Sequence, residues 1–173
     1  VFEEAFRRYG LPAAILTDSG PPFAAPLAPR RLSKLSVWWI KLGIRPLLIQ
    51  PGHPEQNGSH ERMHRTLKAE TARPPAANQA AQQQEFDRFR EQYNHQRPHE
   101  GIGLVTPAER YRSSPRPYPR RLPELCYPGH FEVRTVRSKG EIKWQGKKLF
   151  LSEMLYREPV GLEEVDDGLW SVY

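Results

Sequence analysis

The sequence predicts an α/β domain followed by a small all-β module. Amphipathic helices alternate with short apolar runs over the first part of the chain, which is typical of a sheet covered by helices. Five prolines and three arginines are concentrated between residues 113 and 130, and from Phe131 the hydrophobic pattern changes to period two. We therefore expect an α/β domain over residues 1–112, a linker over 113–130 and a β module over 131–173.

The composition favours a polyanionic partner. The 173 residues carry a formal net charge of +6 with a pI of about 9.6, and all but seven of the 26 basic residues are arginine. Arginine suits bidentate contacts with phosphate, so nucleic acid is the partner that we expect.

The cysteine content and the hydropathy exclude several classes of protein. The single cysteine, Cys126, excludes a disulfide framework and a Cys-based zinc site, and we expect no paired metal spacing among the six histidines. The sequence has neither an apolar run of membrane-spanning length nor a signal peptide, so we expect a cytoplasmic protein. The chain starts inside a predicted helix and ends inside a predicted strand, so both ends look cut.

The first element is an amphipathic helix over residues 1–9. Phe2, Phe6 and Tyr9 lie on one face, and Gly10 is a typical residue to end a helix. The apolar run 13–17 that follows is predicted to be a buried strand.

Asp18 stands where this strand ends, and Gly20 follows two residues later. Catalytic and ligand-binding groups collect at the carboxyl ends of strands in α/β sheets, so Asp18 is a candidate site residue. The alternative is a turn residue whose carboxylate caps its own backbone before Gly20. The sequence at this point leaves both interpretations open.

A second helix and a second strand follow the Pro- and Ala-rich loop 21–31. Leu35, Trp39 and Leu42 form a stripe on a helix predicted over 32–42, and we expect Trp38 and Trp39 to be core or interface aromatics. Residues 45–50 are predicted to be a buried strand that leads into a loop containing two prolines and an Asn-Gly turn.

The next helix begins at about Gly58 or Ser59 and must end before Pro74. Met63 and Leu67 are expected to anchor it to a core. The polar residues at i, i+3, i+4 and i+7 share one face, which places a carboxylate in the first turn and basic side chains beyond it: Glu61, His64, Arg65 and Lys68. The alternative is an ordinary surface helix with a Glu61–Arg65 ion pair.

The remaining elements complete both parts of the chain. A helix is predicted over 78–96, and Thr106 to Glu109 forms a capping box that starts a short helix. Beyond Phe131, two hairpins with turns at Gln145-Gly146 and Asp167-Gly168 predict an SH3-like barrel that lacks its last strand.

Taken together, the first 112 residues resemble the catalytic core of DDE transposases and retroviral-type integrases, particularly IS481-like insertion-sequence transposases. The motifs that carry the resemblance are Ile15–Phe23, Pro51–Arg62, Tyr93–His99 and Thr106–Tyr111. The resemblance implies an RNase H-like fold, and the β module is similar to the C-terminal domain of the same family.

The resemblance also implies the chemistry. Two Asp and one Glu in the family hold two Mg²⁺ or Mn²⁺ ions, which activate water or a DNA 3′-hydroxyl for attack on a phosphodiester. By resemblance, Asp18 is the second acidic ligand and Glu61 the third, with 42 residues between them. Lys68, Arg65 and His64 are then the residues that face DNA. Partners implied in this way are the transposon ends, the target DNA and further copies of the protein.

Two positions depart from the family pattern. Ser19 stands where the family usually has Asn, and no residue matches the first catalytic Asp, because Glu3 and Glu4 lie on the helix itself. We therefore expect negligible strand transfer from this chain, as an excerpt of a transposase or a decayed remnant of one. A non-catalytic DNA-binding protein is the second hypothesis, and a structural α/β domain whose acids are caps and surface pairs is the third.

Overall fold

The computed structural model describes residues 1–25, 31–50 and 52–173. Part of the predicted loop 21–31 and Pro51 lie outside these ranges. The helices are α1 (Phe2–Tyr9), α2 (Lys34–Lys41), α3 (Gly58–Thr71), α4 (Gln79–Glu91) and α5 (Pro107–Arg110). The strands are β1 (Ala14–Thr17), β2 (Arg45–Leu48), β3 (Glu132–Thr135), β4 (Glu141–Trp144), β5 (Lys147–Phe150), β6 (Pro159–Asp166) and β7 (Leu169–Val172). The predicted elements are thus confirmed in type and order, with ends that differ by a few residues.

Strands β1 and β2 pair in parallel, as expected for an α/β unit, with Thr17 opposite Leu48. The backbone N–H of Arg45 donates to Ala13 on the β1 side, so the next residue, Pro46, faces away from β1. Because proline has no N–H, Pro46 cannot donate a backbone hydrogen bond to another strand, and that side of β2 is an edge of the sheet. Leu16 and Leu47 are opposite each other and both are exposed, at 46% and 37%. The prediction that these two strands are buried is therefore wrong, because the sheet of the described residues has only two strands here and leaves one face uncovered.

The core of the α/β unit is formed by α1, α2 and the residue just before β2, and Ile15 of β1 packs against it. Phe6, Trp39 and Ile44 are buried in it, and Phe2 packs edge-on against Trp39 with ring centroids 5.2 Å apart. Ser33 and Ser36 form a capping box that fixes the start of α2. The prediction that Trp38 and Trp39 are core aromatics is confirmed, with Trp39 fully buried and Trp38 packed against the cluster.

The first half of the predicted linker is docked on this core. Arg116 donates to the carbonyls of Pro12, Leu42 and Gly43 at 3.3, 2.7 and 3.0 Å, so its guanidinium satisfies backbone acceptors at the end of α2. Tyr118 packs against the same core cluster. The proline-rich composition indicated an extended segment, but these contacts depend on the tertiary structure.

The β module has a separate core. Strands β3, β6 and β7 form an antiparallel sheet, β4 and β5 form a hairpin, and the buried residues from both are Val136, Ile142, Val160 and Leu162. Gly161 leaves room for the aromatic ring of Tyr127, because a Cβ there would lie 2.4 Å from it. The two hairpin turns are those that the sequence predicts.

One ion pair and one cleft join the two parts. Lys41 on α2 contacts both carboxylate oxygens of Glu158 at 2.9 Å, and both side chains are about one-fifth exposed. A cleft of about 730 Å³ beside this pair is lined by apolar residues from both sides, among them Val37 and Trp170. None of the described helices combines the length and the apolar character that crossing a bilayer demands.

Candidate functional site

Asp18 is exposed at the carboxyl end of β1. One of its carboxylate oxygens accepts a hydrogen bond from the Gly20 N–H at 3.0 Å. The predicted cap on its own backbone is therefore present. Such a cap occupies one lone pair and leaves the other oxygen able to bind a cation, so it does not exclude the functional interpretation.

The loop that leads to α3 starts beside Asp18. Ile49 donates its backbone N–H to Thr17 at 3.0 Å, and its carbonyl accepts a bond from the Ser19 hydroxyl at 3.2 Å. Gln50 in turn donates its N–H to the Gln56 side chain at 2.9 Å, which ties the start of this loop to its end. Because α3 begins two residues after Gln56, these bonds connect the segment beside Asp18 with the start of α3.

Glu61 lies in that first turn and is exposed. The alternative prediction paired it with Arg65, but no such ion pair forms among the described residues. Arg65 and Lys68 are exposed as well, and in the same ranges neither contacts a carboxylate. The face therefore presents one carboxylate and two cations to solvent.

His64 lies between these groups on the helix surface. Its ring centroid is 4.1 Å from that of His60, one turn earlier. Partial burial, and then the charges of His60 and Lys68, hold the pKa of His64 below its ordinary value of 6.5. This shift favours the neutral form of the imidazole.

The far end of α3 is held by α4 and by the turn that follows it. Gln82 donates to the Thr71 carbonyl at 2.8 Å and accepts from the Ala76 N–H at 3.0 Å. Arg97 contacts Glu70 at 2.9 Å. These supporting residues were not identified from the sequence, since only the packed helices bring positions 70 and 97 together.

Two sequence expectations need correction here. Met63 and Leu67 are only half-buried and belong to neither core cluster, because α3 packs chiefly against α4 rather than against the sheet. The helix predicted over 78–96 is α-helical only to Glu91 and continues as a π-helical turn over Gln92–Gln96. Phe89 is buried and stacks on Tyr93, whereas Phe86 is 38% exposed.

The donor chemistry suits a hard cation, but the site is not assembled. Carboxylate oxygens such as those of Asp18 and Glu61 are the ligands that Mg²⁺ prefers. Over residues 1–25, 31–50 and 52–173, no three His, Cys, Asp or Glu side chains come together as metal ligands. Asp18 lies at the carboxyl end of β1 and Glu61 in the first turn of α3, and no contact joins the two side chains among the described residues.

Comparisons with known proteins show which sequences this chain is similar to. Residues 42–107 match the family model of the integrase core domain. The chain is 31% identical over 101 residues to an uncharacterized 39.2 kDa protein of insertion element IS476 from Xanthomonas euvesicatoria, covering 58% of this chain and 27% of that protein. It is 30% identical over 108 residues to a 31.7 kDa protein of insertion element IS407 from Burkholderia multivorans, covering 62% of this chain and 36% of the relative.

The fold is also similar to a solved structure. A chain of the simian T-cell lymphotropic virus intasome, solved in complex with PP2A regulatory subunit B56 gamma, aligns with a TM-score of 0.50 at 18% identity. The alignment covers 99% of this chain and 58% of the viral chain. The chain thus spans roughly a quarter to a third of the insertion-element proteins and has an RNase H-like α/β fold. Residues 42–107 thus match an integrase core domain, and the chain is similar to insertion-element proteins and, in fold, to a retroviral intasome chain.

Proposed function

We propose that this chain contributes two acidic ligands and a DNA-binding helix face to metal-dependent phosphodiester transfer in transposition. The observation that carries the proposal is the position of Asp18, at the carboxyl end of β1 and beside the loop that leads to Glu61. Similarity to the integrase core domain and to insertion-element proteins suggests the reaction class, namely DNA cutting and joining.

Asp18 and Glu61 are the residues that would hold the metal. Two Mg²⁺ or Mn²⁺ ions, when bound, stabilise the entering and leaving oxygens of a phosphodiester displacement. Glu61 is free of ion pairs among the described residues, and Asp18 uses one oxygen in its turn, so both can offer oxygen to a cation. Because Glu61 follows a loop, closure of α3 toward Asp18 is the movement that assembles the site, and we expect DNA to favour it.

The rest of the α3 face would bind the DNA backbone. Arg65 and Lys68 lie within two turns of Glu61 and are exposed without carboxylate partners in the described ranges. His64 lies beside them as a hydrogen-bonding group whose lowered pKa favours the neutral form. Basic side chains that contact phosphate release counterions, so binding through this face should weaken as salt increases.

The first catalytic Asp of the family has no counterpart in residues 1–173, and with two of three ligands we expect negligible nicking by this chain.

The alternative function is DNA binding without catalysis, as in a transposase remnant. The net charge of +6 favours DNA as the partner under either hypothesis. Activity of the whole protein, in the bacterial cytoplasm and as a homo-oligomer on paired DNA ends, is part of the same proposal.

The domain organisation that we propose is a core over 1–112, a linker over 113–130 and an SH3-like module over 131–173. Two separate hydrophobic cores support this division. The antiparallel sheet and hairpin of the module support the SH3-like assignment.

The metal proposal is tested with Mn²⁺ as a paramagnetic probe. In the presence of a DNA duplex, we expect Mn²⁺ to broaden the amide NMR signals of residues 17–20 and 59–62. Asp18→Asn and Glu61→Gln should each reduce the broadening at both segments, because the ion needs both carboxylates. Glu4→Gln, an exposed acid on α1, is the control. Broadening that survives both substitutions would overturn the assignment.

The DNA proposal is tested by fluorescence anisotropy with a labelled duplex at several salt concentrations. Arg65→Ala and Lys68→Ala should each weaken binding and lower the slope of log K against log[salt] by about 1. Lys34→Ala removes an exposed cation from α2 and should leave the slope unchanged. If the Lys34 variant lowered the slope as much as the α3 variants, binding would depend on net charge rather than on this face.

A further inference from the structure

The sequence His60-Glu61-Arg62-Met63-His64 places two histidines four residues apart on a helix. Residues at i and i+4 lie one above the other on a helix surface, so their side chains can share one ligand. This spacing is the one used by pairs of zinc-binding histidines. The expectation that the six histidines contain no paired metal spacing is therefore wrong.

The structure brings the two imidazoles together. Their ring centroids are 4.1 Å apart and their planes are inclined by 49°. Metal–nitrogen distances of about 2.0–2.1 Å in a tetrahedral site put the ring centres roughly 5 Å apart, so the rings need to separate by only about 1 Å. Both side chains are exposed, which allows that rotation and leaves the ring edges accessible to an ion.

The surroundings of the pair are mixed in charge. Glu61 follows His60 directly and supplies a negative charge, whereas Lys68 lies one turn beyond His64 and supplies a positive one. Neither imidazole is engaged in an ion pair among the described residues, unlike His53, which contacts Glu55 at 2.7 Å, and His130, which contacts Glu163 at 3.2 Å. Imidazoles without a carboxylate partner have their ring nitrogens available for a metal ion.

We propose that His60 and His64 form a two-imidazole site for a divalent transition-metal ion such as Zn²⁺, Ni²⁺ or Cu²⁺. Imidazole nitrogen suits these ions, whereas Mg²⁺ takes oxygen ligands, so the site differs in chemistry from the one proposed for Asp18 and Glu61. No third His, Cys, Asp or Glu joins the pair in the part of the chain that the structure describes, so the ion keeps positions open to water. A peptidase centre, which needs a third protein ligand, does not follow from this arrangement.

The test is isothermal titration of the untagged chain with NiCl₂, because a polyhistidine tag would mask the site. We expect one Ni²⁺ ion per chain, and His60→Asn and His64→Asn should each weaken binding by about tenfold or more. The expected loss of Ni²⁺ affinity is large because the helix holds the second imidazole close to an ion bound by the first, which gives it a high effective concentration. His53→Asn and His130→Asn, which remove histidines outside the pair, should leave the affinity unchanged.

Two further variants separate this proposal from the others. Glu61→Gln should leave Ni²⁺ affinity within about twofold, since imidazole rather than carboxylate supplies the ligands. The double change His64→Asn with Arg65→His keeps the number of histidines but breaks the i,i+4 spacing, and it should bind as weakly as His64→Asn. Circular dichroism at 222 nm checks that α3 still forms in every variant.

Unchanged Ni²⁺ affinity in His64→Asn would contradict the proposed His60–His64 site. Equal losses of affinity in His64→Asn and His130→Asn would contradict it as well, and so would full affinity in the double variant His64→Asn with Arg65→His. Loss of Ni²⁺ binding in Glu61→Gln alone would assign the ion to the acidic site instead. Because Mn²⁺ broadening reports the carboxylates and Ni²⁺ titration reports the imidazoles, failure of one proposal is distinguishable from failure of the other.

Discussion

At the scale of single residues, the carboxylates of this chain differ in how many hydrogen bonds they already accept. Glu109 accepts two bonds from Thr106, one from its backbone N–H at 2.7 Å and one from its hydroxyl at 2.8 Å. Asp18 accepts one bond in its turn, and Glu61 accepts none in the described ranges. The two carboxylates that we assign to a metal thus keep oxygen atoms without a hydrogen bond among the described residues, whereas Glu109 has a structural role.

Glu109 gives a pH-dependent prediction. The backbone N–H and then the hydroxyl of Thr106 hold the pKa of this carboxyl below its ordinary value of 4.5. Its contribution to stability is therefore complete above about pH 4.5 and is lost as the pH falls through the folded-state pKa. Glu109→Gln should be less stable than the wild type at pH 7, and this difference should shrink toward pH 3.

Urea unfolding curves collected between pH 7 and pH 3 measure the difference. Glu100→Gln is the matched control, since its side chain is exposed and lies outside the capping box. A stability difference between the wild type and Glu109→Gln that stayed constant over this pH range would contradict the prediction.

At the scale of elements, the β4–β5 hairpin is held by two glycines with different surroundings. Both have left-handed backbone conformations, with φ of 71° at Gly140 and 75° at Gly146. A Cβ on Gly140 would lie 2.5 Å from the backbone of Ser152 and Glu153, whereas a Cβ on Gly146 would meet nothing within 4 Å. Gly140 therefore allows close backbone packing, and Gly146 only allows the turn.

Alanine substitutions should separate these two effects. Gly146→Ala is expected to destabilise the protein by about 1–2 kcal/mol, because an L-residue must adopt the left-handed conformation. Gly140→Ala adds a clash with backbone atoms to the same conformational cost, so we expect a loss larger by roughly 1–3 kcal/mol. Chemical denaturation followed by Trp fluorescence measures both variants, and equal losses would show that packing at Gly140 is unimportant.

At the scale of the whole molecule, two hydrophobic cores are joined by a docked segment and by one half-buried ion pair. Trp39 is fully buried in the first core and Ile142 in the second. Arg116 donates a hydrogen bond to the Leu42 carbonyl beside the first core, and the Lys41–Glu158 ion pair connects the two parts. This arrangement predicts two units with separate stabilities that are coupled through these contacts and through the cleft lined from both parts.

Native-state hydrogen exchange of two core variants tests this organisation. Trp39→Ala is expected to cost about 3–5 kcal/mol and Ile142→Ala about 2–5 kcal/mol. Exchange should accelerate in α1 and α2 for the first variant, and in β3 to β7 for the second. Val133→Ala, at a position 45% exposed, is the control. Uniform acceleration throughout the chain in both variants would indicate one cooperative unit.

The amino-acid sequence alone determined the type and order of the helices and strands, with ends within a few residues for most of them. Those features depend on local periodicity, on capping by Ser33 and Thr106, and on Gly and Pro at positions that stop an element. The i,i+4 spacing of His60 and His64 was equally visible, although its ring-to-ring geometry required coordinates. Local patterns suffice for these features because the interacting residues are close in sequence.

Only the tertiary structure decided which distant residues meet. Arg116 reaches the end of α2, Arg97 holds Glu70, and Lys41 pairs with Glu158 across more than a hundred residues. The packing of α3 on α4 instead of the sheet, and the π-helical turn after α4, were likewise not predictable from periodicity. The physical reason is that such contacts depend on how packed elements face each other, and the one-dimensional pattern of polar and apolar residues does not encode that geometry.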